Sequence, residues 1–268
     1  MLKDITFGQY FESSSVIHRV DPRTKILLLI LDVVFLFLTN SLWALLVCAL
    51  QVLTIMLLSR VPLKMFLKNI KTILPIIIFT SIINLFYGSG DVLLSVWKIT
   101  VTTGGVYRAV YMTARIILLI LISSVLTYTT TPNDITDAIE SLLSFLRIFG
   151  LRSAVHMLAM MMTIALRFIP TLVEETDKIM NAQKARGADL ESGKLFERIR
   201  ALIPILIPLL ISSVRRAYEL AEAMECRCYN GGVGRVRMKK LRYSLIDLWA
   251  TLVNAVFCGG VIAFNILV

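Results

Sequence analysis

The chain has 268 residues, of which 57% are hydrophobic and 17% charged, and it carries a net charge of +10. A soluble domain is about 45–50% apolar and about 25% charged. The excess is gathered into runs on the scale of the roughly 20 apolar residues a helix needs to cross a bilayer, which argues against a soluble enzyme or a basic nucleic-acid-binding module.

In chain order, the first 25 residues include Lys3, Asp4, Glu12, Arg19, Asp21, Arg23 and Lys25 and have no apolar core, so no cleavable signal peptide is expected. Apolar spans are predicted over residues 26–38, 42–58, 72–87, 109–128 and 245–268. The first two are separated only by Thr39, Asn40 and Ser41 and should form a tight hairpin. Asp32 and Arg115 fall inside spans, entered from opposite sides. They should differ in depth by about 10 Å at 1.5 Å per residue, too far to pair, so snorkelling or a contact with another subunit is expected.

Two further apolar stretches, 154–172 and 202–214, are ambiguous. The first contains His156 and Arg167 and ends near Pro170; the second is short and contains Pro204 and Pro208. Charge weighs against both as spans, because 17 of the 28 Lys and Arg residues lie between Thr129 and Tyr243. With five spans and the N-terminus in the cytoplasm, that whole region, together with Arg60, Lys64, Lys68 and Lys71, lies on the positive side, and only Lys98 and Arg108 lie outside. The C-terminus is then outside. The fold class is therefore all-α: a polytopic membrane protein with about five transmembrane helices plus long cytoplasmic helices. Its parts are a membrane domain over 1–128, a cytoplasmic domain over 129–243 and a final span over 244–268.

Within the cytoplasmic part, helices are predicted over 133–149, 153–186 and 194–227, the second kinked at Pro170 and ended by Gly187. A basic stretch with Arg235, Arg237, Lys239, Lys240 and Arg242 leads into the last span and suits an anionic leaflet. The two long helices end alike, in Ala185-Arg186-Gly187 and Cys226-Arg227-Cys228, each with acidic residues upstream. A cation at a helix C-terminus offsets the helix dipole, and that alone would explain either one. Two such tips, each an arginine among small residues, also suit close docking, because a guanidinium can pair bidentately with a partner's carboxylate.

With these features the chain resembles the transmembrane (T) component of energy-coupling factor (ECF) transporters, ATP-driven importers of vitamins and metal ions in prokaryotes. The resemblance covers essentially the full length. It rests on His18-Arg-Val-Asp-Pro-Arg-Thr-Lys25 before the first span, on Ala185-Arg186-Gly187, and on Cys226-Arg227-Cys228. In the family the second arginine is usually flanked by Ala, Gly or Ser, so the cysteines depart from the pattern. The resemblance implies a non-catalytic scaffold in the prokaryotic cell membrane. Its coupling helices would dock Arg186 and Arg227 into two ATPase subunits and hold a membrane-embedded substrate-binding S component. The N-terminal run and the length are most similar to the shared, vitamin-type group.

The remaining residues fit that picture. No G-x-x-x-x-G-K-[ST] phosphate loop occurs, so ATP and Mg would be bound by partner chains and no cofactor by this one. His18 and His156 form no metal pair with a carboxylate at helical spacing, and Cys226 and Cys228 have no second Cys or His pair, so no metal site is expected. Met157, Met160, Met161 and Met162 are either ordinary helical core or an adaptable surface for exchanging S components. A stand-alone secondary transporter would show inverted repeats and broken helices at mid-membrane, and a lipid-modifying membrane enzyme a cluster of His, Asp or Glu near one interface. Neither pattern is evident.

Overall fold

The computed structural model describes residues 10–86, 92–96, 99–144, 152–188, 195–230 and 241–267. Its elements run α1 Val16–Arg19, α2 Pro22–Leu38, α3 Leu42–Ser59, α4 Leu63–Phe86, β1 Val92–Val96, β2 Ile99–Thr102, α5 Thr103–Thr129, α6 Pro132–Leu143, α7 Arg152–Ala185, α8 Leu195–Glu225 and α9 Leu245–Leu267. They fall into two compact units: a membrane unit of Gly8–Ala138 with Leu241–Val268, and a helix-pair unit that includes Ile139–Lys240. The division falls inside α6.

In the membrane unit, α2 starts where the sequence supplies an N-cap. The Asp21 side chain accepts from the Arg23 amide at 2.9 Å, and Pro22 occupies the first turn, where its missing N–H costs nothing. The α2–α3 turn is the expected three-residue hairpin, with Ser41 capping α3 through the Trp43 amide. Helix α4 begins at Leu63, nine residues before the predicted start, so Lys64, Lys68 and Lys71 ride on its first turns rather than on a loop. The anchor is Phe66, buried edge-on against Tyr128, whose hydroxyl donates to the Met65 carbonyl at 3.1 Å. An antiparallel β1–β2 hairpin, unforeseen in the sequence, lies between α4 and α5. Its strands are rich in β-branched residues, which favour that backbone. Thr102 then caps α5 through the Gly105 amide. Gly105 is required there, because a Cβ would lie 2.3 Å from the Leu85 carbonyl oxygen.

The core of this unit runs through Leu36 of α2, Leu45, Cys48 and Val52 of α3, Tyr111, Leu118 and Val125 of α5, and Val261 of α9. The outward faces stay apolar, as Leu27, Ile30, Val34 and Phe37 on α2 show. In a bilayer such faces meet lipid, and the backbone is satisfied within each helix.

Asp32 and Arg115 bond to other groups rather than to each other, as expected, but neither does so by the expected route. Asp32 is buried and accepts on one oxygen from Gln51 of α3 at 2.8 Å and Asn254 of α9 at 2.7 Å, so it ties three helices together. Arg115 donates to the carbonyl and hydroxyl of Thr39 and to the Tyr111 hydroxyl, and its guanidinium sits 4.8 Å from the Tyr111 ring centroid. It thereby neutralises the C-terminal end of α2. Both side chains are thus bound within this chain rather than snorkelling, although the Arg115 Nε stays buried without a partner among the described residues.

Among the described residues, six helices are long and apolar enough to cross a membrane: α3, α4, α5, Ala154–Ala185 of α7, Arg200–Glu225 of α8, and Leu245–Asn265 of α9. Two of these are the helices assigned to the cytoplasm from charge, and α2, at 17 residues, falls just short. The chain is an all-α, multi-pass membrane protein with one short hairpin. The end of the first predicted cytoplasmic helix, residue 98 and the basic stretch 235–240 lie outside the described residues.

Candidate functional site: two arginine-tipped helices

The helix-pair unit is built on α7 and α8, whose cross-contacts keep a nearly constant sum of residue numbers. The Gln183 amide donates to the Pro204 carbonyl at 3.3 Å, Glu175 pairs with Arg216 at 2.6 Å and accepts from the Ser212 hydroxyl, and the Tyr229 hydroxyl lies 2.8 Å from the Met160 sulfur. The two helices therefore run antiparallel. The bond to Pro204 has a local cause. Pro208 has no N–H to offer four residues back, and Gln183 takes up the carbonyl this leaves open.

Antiparallel packing sets Arg186 and Arg227 at opposite ends of the pair. The end of α8 lies level with Met160. From there to Arg186 is about 25 residues, or roughly 37 Å of helix.

The two tips share one geometry. At the end of α7, the Ala188 amide donates to the Gln183 carbonyl at 3.0 Å and the Gly187 amide to the Lys184 carbonyl at 3.0 Å, with Gly187 at φ +87°. At the end of α8, Tyr229 donates to Met224 at 3.0 Å and Cys228 to Glu225 at 2.9 Å, with Cys228 at φ +54°. Both are Schellman closures, and in both the arginine is the cap residue between the last helical turn and the left-handed residue. Arg186 and Arg227 are exposed, as are Ala185, Gly187, Cys226 and Cys228. Each guanidinium is thus presented beside a helix C-terminus whose dipole favours it. Among the described residues the four cysteines are free, and no group of three or more His, Cys, Asp or Glu could hold a metal ion.

The methionines divide. Met157, Met161 and Met162 are exposed on the first turns of α7, whereas Met160 turns toward Tyr229. The apolar side chains of α8 at Leu202, Ile203, Leu206, Ile207, Leu210 and Ile211 are exposed as well. His156 faces Glu140 of α6 at 3.4 Å.

Two features were not foreseen. Glu175, noted only as an acid upstream of the first tip, clasps the helix pair. Cys228 occupies the left-handed position that Gly187 fills at the other tip. Laying the two tips over each other in sequence, arginine on arginine, would have exposed that substitution.

The N-terminal run that carried the resemblance is a fastening. Asp247 of α9 accepts the Asp21 amide at 2.7 Å, and Arg23 donates to the Leu241 carbonyl at 3.2 Å while stacking over Tyr243. Lys25 donates to the Thr129 carbonyl at 2.9 Å and the Thr130 hydroxyl at 3.2 Å, closing the end of α5. His18 bridges the Ser15 hydroxyl and the Phe11 carbonyl.

Comparison with known proteins agrees along nearly the whole chain. A family model described as "Cobalt transport protein" matches residues 13–239. The "Energy-coupling factor transporter transmembrane protein EcfT" of Ruminiclostridium cellulolyticum is 49% identical over 262 residues, covering 98% of this chain and 97% of that protein. The protein of the same name from Clostridium kluyveri is 49% identical over 254 residues, covering 94% and 93%. That of Bacillus subtilis is 43% identical over 242 residues, covering 90% and 91%.

Proposed function

Because the chain belongs to the EcfT family, the transmembrane component of energy-coupling factor transporters, we propose that it is the scaffold through which two partner ATPases drive a substrate-binding S component. Arg186 and Arg227 are the docking points, each entering a groove on one ATPase with its flanking residues Ala185 and Gly187 or Cys226 and Cys228. ATP and Mg are bound by those partners, and this chain performs no chemistry of its own.

One observation carries the reading. Two closures of the same geometry present exposed arginines at opposite ends of an antiparallel helix pair, a helix length of roughly 37 Å apart. Helix-dipole compensation explains an arginine at either end, but it does not call for the same left-handed closure twice. Two matching knobs this far apart suit two similar partners. The exposed face of Met157, Met161 and Met162, continued by the leucines and isoleucines of α8, suits the apolar S component. Movement of the tips as the ATPases close would tilt this face and reorient the S component, which chooses the cargo, a vitamin or similar micronutrient.

The proposed orientation keeps the N-terminus in the cytoplasm and the C-terminus outside, with α2, α3, α4, α5 and α9 crossing. It follows from the 17 Lys and Arg residues between Thr129 and Tyr243.

Affinity purification of the tagged chain from its native membrane is the test. Recovery of two P-loop ATPases and a small hydrophobic protein is expected. Recovery of the folded chain alone, able to transport by itself, would overturn the scaffold in favour of a secondary transporter.

A further inference from the structure

The membrane unit encloses a cavity of about 460 Å³ that coupling to ATPases does not require. It lies among α2, α3, α5 and α9 and is bounded by α1 toward the end where α2 begins. Its size falls within the roughly 300–1,000 Å³ of small-molecule pockets. Its walls are hydrocarbon, including Leu29, Ile55, Val125, Val253 and Phe257. The polar groups that line it are largely engaged with one another or with the backbone: Asp32 accepts from Gln51 and Asn254, and Lys25 donates to Thr129 and Thr130. Left empty, such a cavity forfeits the dispersion contacts its hydrocarbon walls could make.

The cavity is open on one side. Leu58 of α3 and Trp249 and Val253 of α9 line it while remaining 55%, 66% and 52% exposed. Farther along, α3 and α9 close up, with Gly260 directly against Val47. The opening therefore faces sideways, between two helices that cross the membrane, and the medium outside it is lipid.

Charge identifies which lipid. Each element bordering the opening carries an exposed arginine just beyond its lining residues: Arg60 after Leu58 on α3, Arg242 before Ile246 on α9, and Arg19 after Ile17 on α1. Of the acids at that end, Asp21 and Asp247 are buried and bound to backbone amides, and Asp134 of α6, near Lys25, is half-buried and accepts from the Thr131 hydroxyl. We propose that the cavity holds one acyl chain of an anionic phospholipid taken from the adjoining leaflet, with its head group among Arg19, Arg60 and Arg242. The bound lipid acts as a structural part of the α2–α3–α5–α9 assembly, filling the space that the Asp32 link holds open.

The probe is phosphatidylglycerol with brominated acyl chains, added to the full chain in mild detergent. Trp249 at the opening is the reporter, in a Trp43→Phe, Trp97→Phe background. Quenching should saturate at one lipid per chain and should be tighter than for brominated phosphatidylcholine by about fivefold per arginine engaged. Arg60→Gln with Arg242→Gln should cut that preference to the roughly fivefold left by Arg19 and leave phosphatidylcholine binding unchanged. Val253→Phe should remove the saturable phase. The arginine pair lies outside the cavity and keeps the test decisive if the filled variant does not fold. Quenching that rises with bulk lipid without a plateau, or equal binding of the two lipids by the parent protein, would overturn the proposal and mean ordinary annular lipid.

Discussion

The two units handle their polar groups differently, although both expose apolar helix faces. In the membrane unit, polar side chains are buried and joined across long sequence distances. Asp32 reaches Asn254, Asp247 reaches the Asp21 amide, Lys25 reaches Thr129 and Arg115 reaches Thr39. In the helix-pair unit, the described buried apolar side chains are Val155, Ala159 and Ile205, while the apolar faces of α7 and α8 and both arginines stay exposed. The first unit answers most of its buried polar groups from within, and the second leaves its two arginine tips exposed.

That contrast predicts where a substitution damages function and where it damages stability. The largest effect is expected at the tips. Arg186→Ala with Arg227→Ala should reduce ATP-driven uptake in cells to background while the protein still inserts and melts normally, and each single change should leave partial activity. Normal uptake by the double variant would remove the tips from the mechanism.

Asp32→Ala should do the reverse. It leaves the Gln51 and Asn254 amides without their shared acceptor, at a cost of about 1–2 kcal/mol for hydrogen bonds within a membrane bundle. The thermal midpoint in detergent should fall, with uptake per folded molecule much less affected. An unchanged midpoint would show that the link carries no stability.

Gly105→Ala should cost a comparable amount, about 1–3 kcal/mol, because its Cβ meets the Leu85 backbone rather than a side chain that can move aside. The readout is again the melting midpoint.

The smallest effects sharpen the equivalence of the tips. Gly187→Ala should destabilise the end of α7 by about 1 kcal/mol, and Cys228→Gly should stabilise the end of α8 by a similar amount, because both positions are left-handed. Hydrogen exchange of the last-turn amides should move in opposite directions in the two variants. Movement in the same direction would mean that the tips are not built alike.

Much of this arrangement was legible in the sequence. The helix at the end of the chain was predicted from residue 245 to 268 and runs Leu245–Leu267; the α2–α3 hairpin and the starts and ends of α7 and α8 fell within two residues of expectation. Gly187 made the end of α7 legible, whereas the Asp21-Pro22 cap was not read as one and α2 starts four residues before the predicted residue 26. The start of α4 was missed because three lysines on its first turns masked a helix anchored by Phe66. The left-handed Cys228 was missed because no side-chain type announces that conformation the way glycine does.

By itself, then, the sequence determined that the chain lies in a membrane, roughly where its helices begin and end, and that two of them end in matching arginines. These are properties of contiguous residues, since a helix satisfies its own backbone and needs only an unbroken apolar run to enter lipid. Only the tertiary structure decided that Asp32 meets Gln51 and Asn254, that Arg115 closes the end of α2, and that the tips lie at opposite ends of one antiparallel pair. In a span that is apolar all round, periodicity does not mark the face that turns inward. Which residues meet is settled by packing between helices far apart in the chain.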